Sequence, residues 1–152
     1  MNNGDKTIVA LNSLIQINND RLDGYQHAYE ETDEADLKDL FEVLSATSRK
    51  CNDELTEQVS KLGGTPTEGT TTSGKFYRIW MDVKAAITSK DRKAILASCE
   101  YGEDWAVKTY DNVLKDNVTD LTAEQTQMVR DQYQWIKRDH DTVRNMRDAV
   151  PA

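Results

Sequence analysis

Chain-breaking residues are scarce in this sequence: 152 residues contain two prolines and seven glycines. Almost all of them fall between long stretches of helical periodicity, with just Gly24 and Gly102 inside one. That scarcity excludes a turn-rich β fold and leaves long helices. Cysteine is as rare. Cys51 and Cys99 sit within helical patterns without Cys-x-x-Cys spacing, which excludes a disulfide scaffold and a thiolate zinc site and reads as two buried thiols of an intracellular protein. Basic residues are outnumbered 19 to 27, a net charge of −8. The acids are spread over every segment, so no basic stripe is available to neutralise phosphate, and neither nucleic acid nor an anionic membrane is an expected partner. No uninterrupted apolar run approaches a membrane-spanning length, and Met1-Asn2-Asn3-Gly4-Asp5 has neither a basic n-region nor an apolar h-region. A soluble, cytoplasmic protein is expected. Two histidines, no Gly-rich phosphate loop, no Gly-x-Ser-x-Gly elbow and no His-Glu-x-x-His motif argue against the common hydrolase and metalloprotease designs, and no residue is assigned a catalytic role.

What the chain does have is an apolar stripe with heptad-like spacing, broken at mid-helix by polar residues. In the first helical stretch it reads Ile8, Leu11, Ile15, Asn18, Leu22, Tyr25, Tyr29. In the second it reads Leu37, Phe41, Leu44, Ser48, Cys51, Leu55, Gln58, Leu62, with Ser48 at the place matching Asn18. Helices are expected at about 6–31, 34–62, 74–88, 90–116 and 123–148 of one domain spanning 1–152. Thr32 or Asp33 can cap the second, which stops at Gly63-Gly64; Ser89 can cap the fourth, and Thr122 with Gln125 forms a capping box for the last. The Thr- and Gly-rich stretch from Gly63 to Gly74 is a loop, followed by a short helix carrying Phe76, Trp80, Val83 and Ile87, about 22 Å long. The inward stripe of the fourth helix is Ile95, Cys99, Gly102, Ala106, Thr109, Val113, and that of the last is Val129, Gln132, Ile136, His140, Val143. Two tight turns and one long crossover containing a short helix are the connection scheme of an all-α, ferritin-like four-helix bundle, with the second and fourth helices parallel.

Four local patterns carry a family resemblance: Leu11-Asn12-Ser13-Leu14-Ile15 followed by Asp20 and Gly24-Tyr25; Trp80-Met81-Asp82-Val83-Lys84; Cys99-Glu100-Tyr101-Gly102-Glu103-Asp104; and His140-Asp141-Thr142-Val143-Arg144-Asn145-Met146-Arg147-Asp148. Together, over about Asp5 to Asp148, they resemble a bacterial domain-of-unknown-function family of ferritin-like four-helix-bundle proteins. The resemblance implies the fold and a bacterial origin; it brings no established activity.

Dimetal sites of ferritin-like bundles take one Glu or Asp from each of two helices and a Glu-x-x-His from each of the other two, because i and i+3 share a helix face. Folding the first helix onto the second about residue 33 levels Asn18 with Ser48, so the second helix offers Ser48 and Cys51, neither a carboxylate nor an imidazole. Folding the fourth onto the last about residue 119 brings Gly102 and Glu103 near Ile136, with His140 a turn away. Lys137 stands where the acid of the last helix is needed. The metal candidates are therefore Glu100, Glu103 and His140, and no cofactor is favoured, iron or manganese being the alternative. The expected centre is a polar mid-layer of Asn18, Tyr25, Ser48, Glu103 and His140, with His140 paired to Glu100 or Glu103. His27 is expected at the surface, and Trp80, Trp105 and Trp135 as packing anchors between crossover helix and bundle. The function expected is non-catalytic, structural or interaction-based, with a degenerate dimetal site. The alternatives are an iron or manganese storage protein or oxidoreductase with divergent ligands, and a module that buries a helical face in a homodimer; a protein partner or small ligand stays unspecified.

Overall fold

A computed structural model describes residues 3–70 and 74–151. Residues 71–73 of the expected loop, and Met1-Asn2, lie outside the described residues. The chain forms α1 (Asn3–Glu31), α2 (Ala35–Lys61), α3 (Gly74–Thr88), α4 (Arg92–Asp116) and α5 (Ala123–Asp148), with a 3-10 turn at Val118–Asp120 and no strand among the described residues. No helix among them is long and apolar enough to cross a membrane.

The helix ends follow local chemistry. Thr122 and Gln125 form the capping box at the start of α5. Gly63, at φ 79°, receives the end of α2, where a left-handed residue is needed and glycine bears no Cβ penalty. Two expected caps are corrected. Asp91, not Ser89, caps α4 by accepting from the Ala94 N–H, because Lys90 turns the chain at φ 55° between them. Glu34 precedes α2 without a side-chain capping bond, and the Thr32 hydroxyl serves only the Glu34 N–H.

Cross-links between helices set their directions. Tyr29, Tyr25 and Asn18 of α1 meet Lys38, Phe41 and Ser48 of α2 in reverse order. Tyr110, Asp104 and Glu100 of α4 meet Gln132, His140 and Arg147 of α5 in the same reversed sense. Across the other two faces, Asn18 and Arg21 of α1 reach Tyr110 and Glu103 of α4, and Gln132 of α5 reaches Glu54 of α2. Adjacent long helices are thus antiparallel, and α2 runs parallel to α4. Arg92 at the start of α4 correspondingly pairs with Glu34 and Asp36 at the start of α2. The long connection returns along α1: Asn12 holds the backbone of Thr65 and Thr67, and Asn19 holds the carbonyl of Gly69. α3 then docks over α1 and α4.

Of the two interior glycines, Gly24 permits that docking and Gly102 only borders it. A Cβ on Gly24 would lie 1.7 Å from Trp80 Cε2, and one on Gly102 would lie 3.4 Å from Ile79 Cγ2. Trp80 crosses edge-on to Tyr25, its ring centroid 4.9 Å away. Trp105 and Trp135, like Trp80, pack partly buried on the main core, and the ammonium groups of Lys108 and Lys50 lie over their rings.

The inward faces depart from the expected stripes at particular positions. Arg21 is buried where Leu22 was expected, Val59 where Gln58 was, Tyr110 where Thr109 was, and Asp139 where His140 was. Leu22 is half-buried, and Tyr29 and Leu62 are exposed. In each of the four substitutions the true inward residue lies one position from the expected one, because a helical face advances by three or four residues and both choices are sterically open. The apolar core falls into two clusters, one around Leu14, Leu55 and Ile136, the other around Phe41, Leu44 and Ile95. Between them lies a polar layer.

Candidate functional site: a buried ionic layer

Arg21 is the centre of that layer. Its guanidinium is 1% exposed and donates to three helices. Nε and Nη2 grip the two Glu103 oxygens at 2.8 and 2.6 Å in the paired geometry to which a guanidinium fork is suited. Nη2 also reaches Asp139 Oδ2 at 3.1 Å, and Nη1 reaches Ser48 Oγ at 2.6 Å. Glu103 is fully buried and Asp139 is nearly so. A charge taken out of water at this depth is tolerable only when paired and hydrogen-bonded, and here one cation faces two carboxylates.

From Ser48 the hydrogen bonds continue in one sense. Ser48 Oγ donates to Asn18 Oδ1 at 2.8 Å, and Asn18 Nδ2 donates to the Tyr110 hydroxyl at 2.8 Å and to the Leu14 carbonyl. Tyr110 donates to Gln132 Oε1 at 2.7 Å, and Gln132 Nε2 donates to Glu54 Oε1 at 3.0 Å. The chain therefore runs from a cation to a carboxylate with every donor pointing the same way, so each bond polarises the next. It joins α1, α2, α4 and α5.

The electrostatics follow from burial and pairing. Burial works to lower the Arg21 pKa, but the charge of Glu103 and its hydrogen bond outweigh it and hold the guanidinium protonated. Burial raises the Glu103 pKa above its ordinary value, opposed by the Arg21 charge and by Arg21 and Tyr25 hydrogen bonding. Burial likewise raises Tyr25 and Tyr110 well above a free phenol, pushes Cys51 up to about 12 and raises Cys99 further. Both thiols are free and inert to ionisation near neutrality.

The structure brings Asn18, Ser48 and Glu103 into one network and sets Tyr25 beside it, its ring 5.6 Å from the Arg21 guanidinium carbon. His140 is not in it. Its side chain, 17% exposed, pairs with Asp104 at 2.5 Å and Asp141 at 3.1 Å on the outer edge of α4 and α5. The expected pairing of His140 with Glu100 or Glu103 is therefore corrected: Asp139 takes the inward position, and Glu100 is bound by Arg147. Glu100, Glu103 and His140 point to three different surroundings, and no group of three or more His, Cys, Asp or Glu among the described residues could hold a metal ion. His27 lies at the surface, bonded to the Asp23 carbonyl.

Five members of the network were missed: Arg21, Asp139, Tyr110, Gln132 and Glu54, although Gln132 lies on the expected inward face. The signal available was a charged residue of opposite sign at the same level on two inward faces, Arg21 beside Asn18 on α1 and Glu103 on α4.

Helix order and buried layer define an all-helical bundle with one buried arginine shared between two buried carboxylates at its centre. Within that class, the chain belongs to the family described as Domain of unknown function (DUF2383), whose model matches residues 6–116, α1 through α4. No curated protein matches the chain.

Proposed function

We propose that this protein is a non-catalytic, ferritin-like bundle with a structural or interaction role, in which an arginine replaces the metal pair of that architecture. The observation that carries the reading is Arg21 in the buried centre, bridging Glu103 and Asp139. A dimetal pair needs carboxylates that bridge two hard cations and histidines that complete their shells. Here the two central acids already share a guanidinium, the α1 and α2 contributions are Asn18 and Ser48, and His140 faces outward. These residues do not fit a metal pair. The ferritin-like label is supported by antiparallel neighbours, the parallel pair α2 and α4, and a single long connection carrying a short helix. A bacterial source is supported by the sequence resemblance, and a reducing, cytoplasmic compartment by two buried unpaired thiols.

The test is metal content and metal response together. Protein purified without added metal or an affinity tag should carry no stoichiometric iron, manganese or zinc, and micromolar iron(II) or manganese(II) should leave its thermal midpoint unchanged. A rise in midpoint that Glu103→Gln abolishes would overturn the reading, since a ligand that binds the folded state alone must stabilise it.

A further inference from the structure

α3 packs more closely on α4 than on α1, and the space left between α1 and α3 is a cleft of about 370 Å³. That volume suits a small organic molecule. The floor is apolar, with Gly24, Ala28, Phe76 and Val83. Its two walls differ in chemistry. The α3 wall presents Tyr77, Trp80 and Met81, of which Tyr77 is 70% and Met81 46% exposed. The α1 wall presents Asp23, His27 and Glu31, one helical stripe of acceptors, while Asp20 at its end is 5% exposed and already engaged. Glu31 is engaged at one end by Lys84, 3.7 Å away. The His27 Nδ1–H donates to the Asp23 carbonyl at 2.8 Å, so in the neutral ring Nε2 is left as an acceptor. Trp80 Nε1 is buried, with no hydrogen-bond partner among the described residues.

We propose that this cleft binds a small organic ammonium ion carrying an aromatic or short aliphatic body. Carboxylates along one wall repel an anion and attract a cation. Aromatic rings on the other wall favour a cation over a neutral molecule of the same shape, through the negative face of the π system. The apolar floor takes the body of the ligand, which excludes a bare inorganic cation as the best fit. Asp23 would hold the ammonium beside the Tyr77 and Trp80 rings, while the apolar floor takes the body. None of Arg21, Glu103 or Asp139 lines the cleft, so the proposal stands independently of the buried layer.

The experiment compares three probes with one phenethyl body, phenethylammonium, phenethyl alcohol and hydrocinnamate, by amide chemical shifts and tryptophan fluorescence on the full chain. Phenethylammonium should saturate, with shifts clustered at Asp23, Gly24 and Trp80; the alcohol should bind at least about tenfold more weakly. Hydrocinnamate should not bind. Asp23→Asn should reduce phenethylammonium to the level of the alcohol, while Asp131→Asn, on the exposed face of α5 and outside the cleft lining, should leave it unchanged. Equal binding of amine and alcohol would overturn the proposal, as would an absence of saturation at millimolar probe or shifts centred outside the cleft.

Discussion

Arg21 shows how a single residue can be costly to remove and yet not be the most stabilising choice. Replacing it alone, as Arg21→Met, leaves Glu103 and Asp139 buried without a counter-charge and deprives Ser48 of its donor. The expected loss is about 3–5 kcal/mol. Replacing all three charges by apolar residues, Arg21→Met with Glu103→Leu and Asp139→Leu, removes the desolvation cost together with the attraction. That variant should be as stable as the parent or more so. Urea midpoints of the single and triple variants check both statements. A triple variant as unstable as the single one would mean that the layer stabilises the fold beyond mutual compensation of its charges.

At the scale of the element, α3 depends on the absence of a side chain at Gly24 but not at Gly102. Gly24→Ala places a methyl group 1.7 Å from the Trp80 ring, and neither α1 backbone nor the edge-stacked indole can yield that much. We expect α3 to be displaced, at a cost of about 1–3 kcal/mol, the usual range for overpacking, with Trp80 emission shifted to the red. Gly102→Ala meets Ile79 at ordinary contact distance. There the gain in helix propensity, up to about 1 kcal/mol, should leave stability unchanged or improved. The pair separates close packing of α3 from general intolerance of substitution in long helices; equal effects of the two would contradict it. Displacement of α3 by Gly24→Ala should also abolish ligand binding in the cleft that α3 walls.

The whole molecule should be more sensitive to alkali than its long helices alone would suggest. Burial pushes Cys51 from 9.0 up to about 12, and it raises Cys99, Tyr25 and Tyr110 in the same direction. Each of these groups ionises in the unfolded chain before it can in the folded one. For Cys51 the stability is therefore fully present below pH 9 and is lost as pH rises towards about 12. The urea midpoint should fall across that window, and Cys51→Ala should reduce the slope. A midpoint that stays flat from pH 9 to about 12 would show that these groups are not buried in solution as they are here. Glu103 has the same sign, its raised pKa favouring the folded state on the acid side, so it is not a group through which acid unfolds the bundle.

Helix number, order, the long connection, the capping box at Thr122 and the mid-helix level shared by Asn18 and Ser48 were legible from the sequence, because each depends on spacing along a single segment or on one tight turn. Glycine inside two helices marked places of close approach without saying what approached. The occupants of the central layer were not legible. A helical face advances by three or by four residues, and single-segment reasoning turned Leu22 and His140 inward because a lone Arg or Asp is normally solvated. Arg21 is buried because Glu103 from α4 and Asp139 from α5 arrive at the same level as Ser48 from α2. That compensation exists only once four helices are assembled, so tertiary structure decides which charges the core can hold.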